Sequence, residues 1–446
     1  MKKVDVHISD IINSQRIDVT YFTEKIGEAS FVPLSKYVEI KGGKRIPKGK
    51  SFSQEKTNYL YLRLSEIDDS RIINYDALKC ISEDLFNTLQ RYEIKNDQVV
   101  FSIAGTIGKV FVMKDIPADK RIVLTENCAK IQPKTEQVLS DYISILLNCS
   151  FVQKQIERNK IQTTIPKIGL DRIAKLKIPE IPSLDFQKRI INIYKNAQKE
   201  RLNKKNEAKK LINSIDDYIN DVLEIVNTEY KEQSNSFYKQ KISSIIGGRF
   251  DPPQFHPERT ETIDKIKKGN WCKLRSVIHN VKTTTSSISQ NDTYVGLENI
   301  NGDNGEYVIT NEKESVSSAA LFKKGNILFP KLRPYLNKVH RAQFDGCCST
   351  EFHVFEAHDI HPDFLTIVLR SNLVLAQTKH LMTGNTLPRL QTTDIENLII
   401  PYPDVDAQEN IVHHVNELQT KARLLKEDGG RLIDDAKRKI ENIILR

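Results

Sequence analysis

The first chemistry in the chain is that of cations on a flexible backbone. Lys41-Gly-Gly-Lys-Arg-Ile-Pro-Lys-Gly-Lys50 places five positive side chains and three glycines in ten residues. Glycine lets backbone N–H groups approach a ligand closely, and clustered Lys and Arg neutralise phosphate oxygens. The segment reads as a phosphate-contacting loop with Lys41, Lys44, Arg45, Lys48 and Lys50 as its candidates; the plainer reading is a solvated charge run. A second turn, Ala104-Gly-Thr-Ile-Gly-Lys-Val110, offers Thr106 and Lys109 to the same kind of partner. It is not a nucleotide-hydrolysing loop. The interval is too short for G-x-x-x-x-G-K, and Val110 stands where a Mg2+-binding Ser or Thr is needed. A plain strand turn is the alternative.

Other runs carry the hydrogen-bonding heads that fit base edges. Asn and Gln pair bidentately with adenine, Arg and Lys with guanine. Asn159–Lys167 contributes Lys160, Gln162, Thr163 and Lys167, and Thr383–Arg389 contributes Asn385 and Arg389. Lys331, Arg333, Tyr335 and Lys338 form a third group, and Lys282 opens the polar Lys282–Ser287 stretch. Each residue also has an ordinary structural reading, so the clusters carry more weight than their members.

Several chemistries are excluded. His353, His358 and His361, with Glu356 and Asp359, lack a recognisable metal-ligand spacing, so no metal site is expected. Neither an N-P-P-Y-type adenine methylation motif nor a glycine-rich S-adenosylmethionine motif occurs. Six cysteines without C-x-x-C spacing read as reduced thiols in a cytosolic protein, mostly filling cores. The N-terminus has no signal-peptide core, and no run approaches the roughly 20 apolar residues of a membrane helix. A cytoplasmic protein without a membrane partner follows. A net charge of +9 attracts polyanions, and 446 residues exceed what one core holds.

The elements that must position these residues are written twice. Arg16–Phe22 matches Arg249–Phe255, Phe31–Leu34 matches Trp271–Leu274, and the eight residues from Tyr61 match those from Tyr294. Gln98-Val-Val-Phe101 matches Asn326-Ile-Leu-Phe329, Lys109-Val110 matches Lys338-Val339, and Thr125-Glu126 matches Thr350-Glu351. D-Y-I-S-I-L-L from Asp141, T-I-P-K-I from Thr164 and I-P-E-I-P-S-L-D-F-Q from Ile178 recur from Asp363, Thr386 and Ile400. Order and spacing are kept throughout. Each half is an α+β domain, with strand-like runs at 59–64, 99–103, 122–132, 294–297, 326–329 and 350–356. A single helix is expected at 142–158 and again at 364–380.

A long helix follows each domain. From Leu184 to Val226 an apolar seam runs through Ile190, Tyr194, Ala197, Ala208, Leu211, Ile215, Tyr218, Val222 and Ile225, interrupted by Arg201 and Lys204. The second helix, from about Asp406, carries Ile411, Val415, Leu418, Ala422, Leu425, Leu432, Ala436 and Ile443. Such heptad stripes need a partner helix, and each helix is the other's, in an antiparallel coiled coil. Gly429-Gly430 reads as a bend, a short break or a place of close helix approach. The expected organisation is a first domain at 1–183, a helix at 184–228, a linker at 229–245, a second domain at 246–404 and a helix at 405–446.

With these residues on the page, the chain resembles the specificity subunits of Type I restriction–modification systems. R-I-D-V-T-Y-F at Arg16, F-S-I-A-G-T-I-G-K-V at Phe101, G-N-I-L-F-P-K-L-R-P-Y-L-N-K-V at Gly325, C-S-T-E-F at Cys348, T-L-P-R-L at Thr386 and the two I-P…Q exits carry the likeness. The Gly429-Gly430 pair and R-F-D-P-P-Q-F at Arg249 depart from the commonest pattern. The resemblance implies a non-catalytic chain whose two target recognition domains read the parts of a split, asymmetric sequence in double-stranded DNA. It also implies two modification (methyltransferase) subunits that methylate adenine with S-adenosylmethionine, and restriction subunits that cleave with ATP and Mg2+. A specificity subunit of a related two-part system, with one partner that both methylates and cuts, is the near alternative. A coiled-coil scaffold for proteins is the alternative of another class.

Overall fold

The computed structural model describes residues 31–66, 73–160, 166–226, 251–286, 293–310, 318–384 and 387–445. The Arg16–Phe22 motif, the linker around 229–245 and Arg249-Phe250 lie outside the described residues. Two compact units result, one of residues 1–205 with 426–446, the other of 206–425.

In the first unit, β1 (Phe31–Pro33) pairs antiparallel with β10 (Lys177–Pro179), clasping the start of the domain to its exit. One sheet has the order β2-β9-β6-β7, with β2 (Val38–Gly42), β9 (Cys128–Pro133), β6 (Val99–Ser102) and β7 (Val110–Val112) all antiparallel. A second sheet has the order β4-β3-β8-β5. Its β3 (Tyr59–Leu62) runs parallel to β8 (Arg121–Leu124), with β4 (Lys79–Cys80) and β5 (Glu93–Ile94) outside them. α1 (Glu83–Leu89) lies between β4 and β5 in sequence.

The second unit repeats this. β11 (Trp271–Lys273) clasps β20 (Ile399–Pro401), and one antiparallel sheet runs β12 (Ile278–Asn280), β19 (Phe352–Ala357), β16 (Ile327–Pro330), β17 (His340–Arg341). In the other sheet β14 (Tyr294–Val295) is parallel to β18 (Gly346–Ser349), and β15 (Ala319–Phe322) flanks β18. The shared kernel is thus a parallel pair plus one antiparallel strand. The edge differs: β4 extends the β3 side in the first unit, whereas β13 (Thr284–Thr285) extends the β15 side in the second.

Strand β6 sits between two cores. Val99 and Phe101 join the cluster containing Leu34, Tyr142 and Leu146, while Val100 joins Leu60, Phe111 and Ile122. In β16, Ile327 and Phe329 point one way and Leu328 the other. Burial on both faces explains why these runs are apolar without alternation. It also accounts for the 122–132 run, which is two strands in two sheets, crossing at Thr125-Glu126-Asn127. All six cysteines are free thiols, and Cys128, Cys149 and Cys348 fill cores.

The helix expected at 142–158 is two, α2 (Ser140–Asn148) and α3 (Ser150–Asn159), broken at extended Cys149. Its counterpart is α7 (Pro362–Arg370) and α8 (Asn372–Thr378), broken at Ser371. The break aims α3 and α8 so that a buried glutamine clamps the exit strand. Gln155 donates to the Lys177 carbonyl and accepts from its N–H, each at 2.8 Å. Gln377 treats Ile399 in the same way at 2.7 and 3.0 Å. Short helices α4 (Leu170–Ala174) and α9 (Thr392–Glu396) precede those strands.

The long helices are α5 (Leu184–Val222) and α10 (Val405–Ile444), and α6 (Pro257–Ile266) opens the second domain. The exit-motif glutamines sit in their first turns and are buried. Gln187 donates to the Pro182 and Gln137 carbonyls and accepts from the Leu139 N–H; Gln408 donates to Pro403 and accepts from His361. In the first unit Ile190, Ile191 and Tyr194 share a core with Ile433 and Ile440. In the second, Ile219 shares one with Ile411, Val412 and Val415. The start of each helix therefore meets the end of the other, and the pair is antiparallel. The helices α3 and α8 are also capped from the long helix that follows the other domain. Glu441 accepts from the Ser150 N–H and its hydroxyl at the head of α3, and Asp216 accepts from the Asn372 N–H at 3.0 Å at the head of α8. Among the described residues no helix is long and apolar enough to cross a membrane.

Three seam positions shift. Ile219 is buried where Val222, at the end of α5, is exposed. Ile433 and Ile440 are buried where Leu432 and Ile443 are only half-buried. Gly429 occupies a buried seam position within an unbroken helix. Counting it makes the steps 425, 429, 433, an added four residues that locally unwind a coiled coil. Across from it lies Arg201, whose Cγ would be 3.4 Å from a Cβ on residue 429. Lys204 pairs with Asp428 at 3.6 Å. The two cations that interrupt the first seam thus face a glycine and an aspartate, and Gly429 marks close approach rather than a bend.

Gly430 faces open space. Gly430→Ala is expected to stabilise by up to about 1 kcal/mol, and Gly429→Leu to destabilise by roughly 1–3 kcal/mol through overpacking, both read from urea unfolding. Gln187→Leu, which strands one N–H and two carbonyls, is expected to cost about 2–4 kcal/mol in the same assay.

Candidate nucleic-acid interface

The basic loop leaves β2 through Gly42-Gly43. The Gly43 N–H donates to the Cys128 carbonyl at 2.8 Å and the Lys44 N–H to that of Leu124 at 3.0 Å. A Cβ on residue 43 would lie 2.1 Å from the Thr125 carbonyl oxygen, so only glycine fits. The loop then rises away, with Lys44, Arg45, Lys48 and Lys50 exposed. Arg45 Nε donates to Glu126 Oε1 at 2.6 Å. The buried Tyr61 hydroxyl donates to the Lys44 carbonyl at 2.7 Å, and Thr125 Oγ1 to Glu126 Oε2 at 3.0 Å. Burial pushes the Glu126 carboxyl up, but the bonds from Arg45, backbone and Thr125 outweigh it and hold it below the usual range. An open groove of about 700 Å³ runs between this loop and the Thr125–Asn127 crossing, with Phe52 and Arg63 on its wall.

The second turn joins the same crossing. The Ile103 N–H donates to the Asn127 carbonyl at 2.8 Å, the Gly105 N–H to Pro166 at 3.1 Å and the Ile168 N–H back to Ile103 at 3.0 Å. Ser102 Oγ closes the turn between the Thr106 carbonyl and the Lys109 N–H. Gly105 and Gly108 have φ of 73° and 83°, which favour glycine. Thr106, Lys109 and Lys167 are exposed on this turn and on the segment bonded to it. Lys41 is less available, paired with Glu39 at 3.2 Å, and Lys160 is paired with Glu157. Gln162 and Thr163 lie outside the described residues.

In the second unit the Lys282 segment is not a free loop but leads into edge strand β13. The 331–338 run takes the place of the 104–109 turn. Arg333 and Asn337, both left-handed, flank a tight turn that exposes Tyr335. This turn meets the Thr-Leu-Pro-Arg-Leu segment: the Arg333 N–H donates to Pro388 at 3.0 Å and the Leu390 N–H to Lys331 at 2.9 Å. Arg389 forks onto Glu351, Nε to Oε2 at 3.0 Å and Nη2 to Oε1 at 2.7 Å. Lys331, Arg333, Tyr335 and Arg389 are brought together. Lys338 turns inward, its ammonium donating to the Leu297 carbonyl at 2.7 Å. Asn385 lies outside the described residues. Sequence reasoning missed Arg370, which holds the turn through the Asn337, Val339 and Gly302 carbonyls and whose pKa burial lowers to about 10. It also missed the role of Glu126 and Glu351, although the repeated Thr-Glu pair marked their place.

The histidines each have a structural use. His353 points into the core of β19, His358 stacks on His279 at 4.0 Å, and His361 caps α7 by accepting from the Asp363 N–H. A three-ligand cluster lies elsewhere among the described residues: His256, Glu258 and His380, with ligand atoms within 4.8 Å of one another. Its carboxylate takes His380 Nε2 at 2.7 Å and Lys379 Nζ at 3.1 Å on one oxygen. An ammonium there opposes a second cation, and the cluster serves as a clasp between α6 and the end of α8. Burial lowers the His353 pKa from 6.5 to about 4. The folded state thus binds its proton more weakly than the unfolded chain, so this contribution is complete above pH 6.5 and lost as pH falls toward 4. Unfolding at pH 7 and pH 4.5 is expected to show a loss of up to about 3 kcal/mol that His353→Leu does not share.

Comparison with known proteins follows the duplication. Residues 28–214 and 265–428 match the family model described as the Type I restriction modification DNA specificity domain. A curated relative, the Type I restriction enzyme EcoDI specificity subunit of Escherichia coli, is 29% identical over 122 residues. That match spans 27% of this chain and 27% of the relative, about a quarter of its length. A solved S subunit of a Type I system from M. genitalium is 13% identical, with 92% of this chain and 95% of that one covered and a TM-score of 0.41. A structure concerned with complex assembly and conformational transition of the type I R-M system is 13% identical, with 94% and 98% covered and a TM-score of 0.46. Those two likenesses are loose, and the assignment rests on the sequence match in both halves. With most of its length matched, the chain belongs to the Type I restriction–modification DNA specificity family.

Proposed function

We propose that this chain is the non-catalytic sequence-reading subunit of a restriction–modification complex. Its two domains read the two parts of an asymmetric duplex target. The observation that carries this reading is the pairing of one repeated frame with two different sets of cations and polar groups. The first set comprises Lys44, Arg45, Lys48, Lys50, Thr106, Lys109 and Lys167; the second comprises exposed Arg333 and Tyr335 with half-buried Lys331 and Arg389. A common frame with unlike loops suits two readers of unlike sequence, and the paired helices act as the spacer between them. As the family resemblance implies, the chain holds two adenine-methylating modification subunits and restriction subunits. S-adenosylmethionine, ATP and Mg2+ then belong to those partners.

Replacing residues 246–404 with the corresponding domain of another such subunit is expected to change only one half of the methylated sequence, read by methylation mapping of the assembled complex. A change in both halves, or in neither, overturns the two-reader assignment. Binding of duplex DNA by the full chain is expected to weaken steeply with salt, because each phosphate contact releases counterions. Absence of that slope favours a scaffold for proteins instead. Methyl transfer by the purified chain alone, given DNA and S-adenosylmethionine, removes the non-catalytic reading.

A further inference from the structure

We infer that the carboxylate at each sheet crossing, Glu126 in the first unit and Glu351 in the second, is a positioning residue that mounts one base-reading arginine per domain. This rests on the DNA-reading function proposed above.

The two residues occupy one place in the repeat, each following a threonine at the end of the central strand, β8 or β18. Their side chains are equally placed, each 28% exposed. Each takes an arginine along its Nε edge: Arg45 through Nε, Arg389 through Nε and Nη2. A guanidinium has five N–H donors in a planar fork. With the Nε edge on the carboxylate, the Nη1 end is left, and the described chain gives it no partner in either unit. The outward end of an arginine fork is what pairs with guanine O6 and N7. A stem already held also loses less freedom on binding than a free one.

Two features separate a mount from a chance ion pair. A carboxylate among cations that meet phosphate repels DNA, so its presence at the same spot in both halves works against plain affinity. The arginines also come from different loops. Arg45 rises from the loop after β2, whereas the matching segment of the second unit is tied into β13. Arg389 comes from the segment between α8 and α9, where the first unit has Lys167, which has no fork. The same carboxylate is thus served from two directions, which presents the arginine differently in each domain.

The test uses the full chain and selection from a random duplex library. Wild type is expected to enrich a two-part consensus. Glu351→Gln is expected to lose a preference of roughly ten- to a hundred-fold at one position of one part, while affinity for unrelated duplex stays level or rises because a negative charge is gone. Glu126→Gln is expected to do the same in the other part. Arg389→Lys keeps the ion pair but has no second edge, and is expected to lose the same position as Glu351→Gln. It decides the matter if the glutamine variant fails to fold. An unchanged consensus in Glu351→Gln, or a uniform loss at every position, overturns the positioning role alone. A wild-type chain that selects no consensus overturns the DNA-reading function and this assignment with it.

Discussion

Four buried glutamine amides decide where each domain ends and how each long helix leaves it. Gln155 and Gln377 lock the exit strands β10 and β20 against the domain helices. Gln187 and Gln408 then tie the first turn of α5 and α10 to the loop ahead of α2 and α7. Each amide both donates and accepts, so each satisfies backbone groups that are out of reach of water. An apolar residue of similar size would fill the space and leave those groups orphaned, at a cost that the low dielectric of the interior raises. The long helices are anchored at their roots for this reason, and these bonds tie the roots to the segments ahead of α2 and α7 within each unit.

On that joint the two halves build one kernel and finish it differently. A parallel pair, an antiparallel neighbour and a four-stranded sheet recur. The last edge strand goes on opposite sides, β4 in one half and β13 in the other. The edge choice decides which segment is free. Where β4 closes the sheet, the glycine-rich basic loop stands clear of it. Where β13 closes it, that segment is consumed as a strand, and the cations come from the 331–338 and 387–389 segments instead. Sequence divergence between the halves is therefore a change of which loop is presented, beyond a change of side chains.

Much of this was legible because the signals were periodic or repeated. The duplication, the two long helices and the buried strands all follow from patterns that sample many residues. The losses have particular causes. The breaks at Cys149 and Ser371 escape notice because neither residue is a helix breaker; the glutamine clamps that follow them impose the turn. The register after Leu425 slips because a strict seven-residue repeat places the step after Gly429 at three residues, whereas the buried step there is four, to Ile433. The continuous run at 122–132 hides two strands because residues on both sides of Thr125-Glu126-Asn127 are buried. At the candidate interface, charge marked Lys338 and Arg389 alike. Only the fold separates a lysine spent on the Leu297 carbonyl from an arginine held open by Glu351.

The reciprocal caps also bear on how the chain is made. Glu441, which completes the head of α3, lies 291 residues beyond Ser150, and Ile433 and Ile440 reach the first core from the same late segment. Asp216 and Asn372 are 156 residues apart. The domain that leaves the ribosome first is thus the one whose helix cap and seam partner are synthesised last. Until then α5 carries a bare apolar stripe, a surface prone to association during the interval. Closure of such distant contacts is slow by the entropy of the intervening loop. The second unit has no such wait, because α5 is already present when its strands emerge, so the order of translation and the order of completion run in opposite directions along this chain.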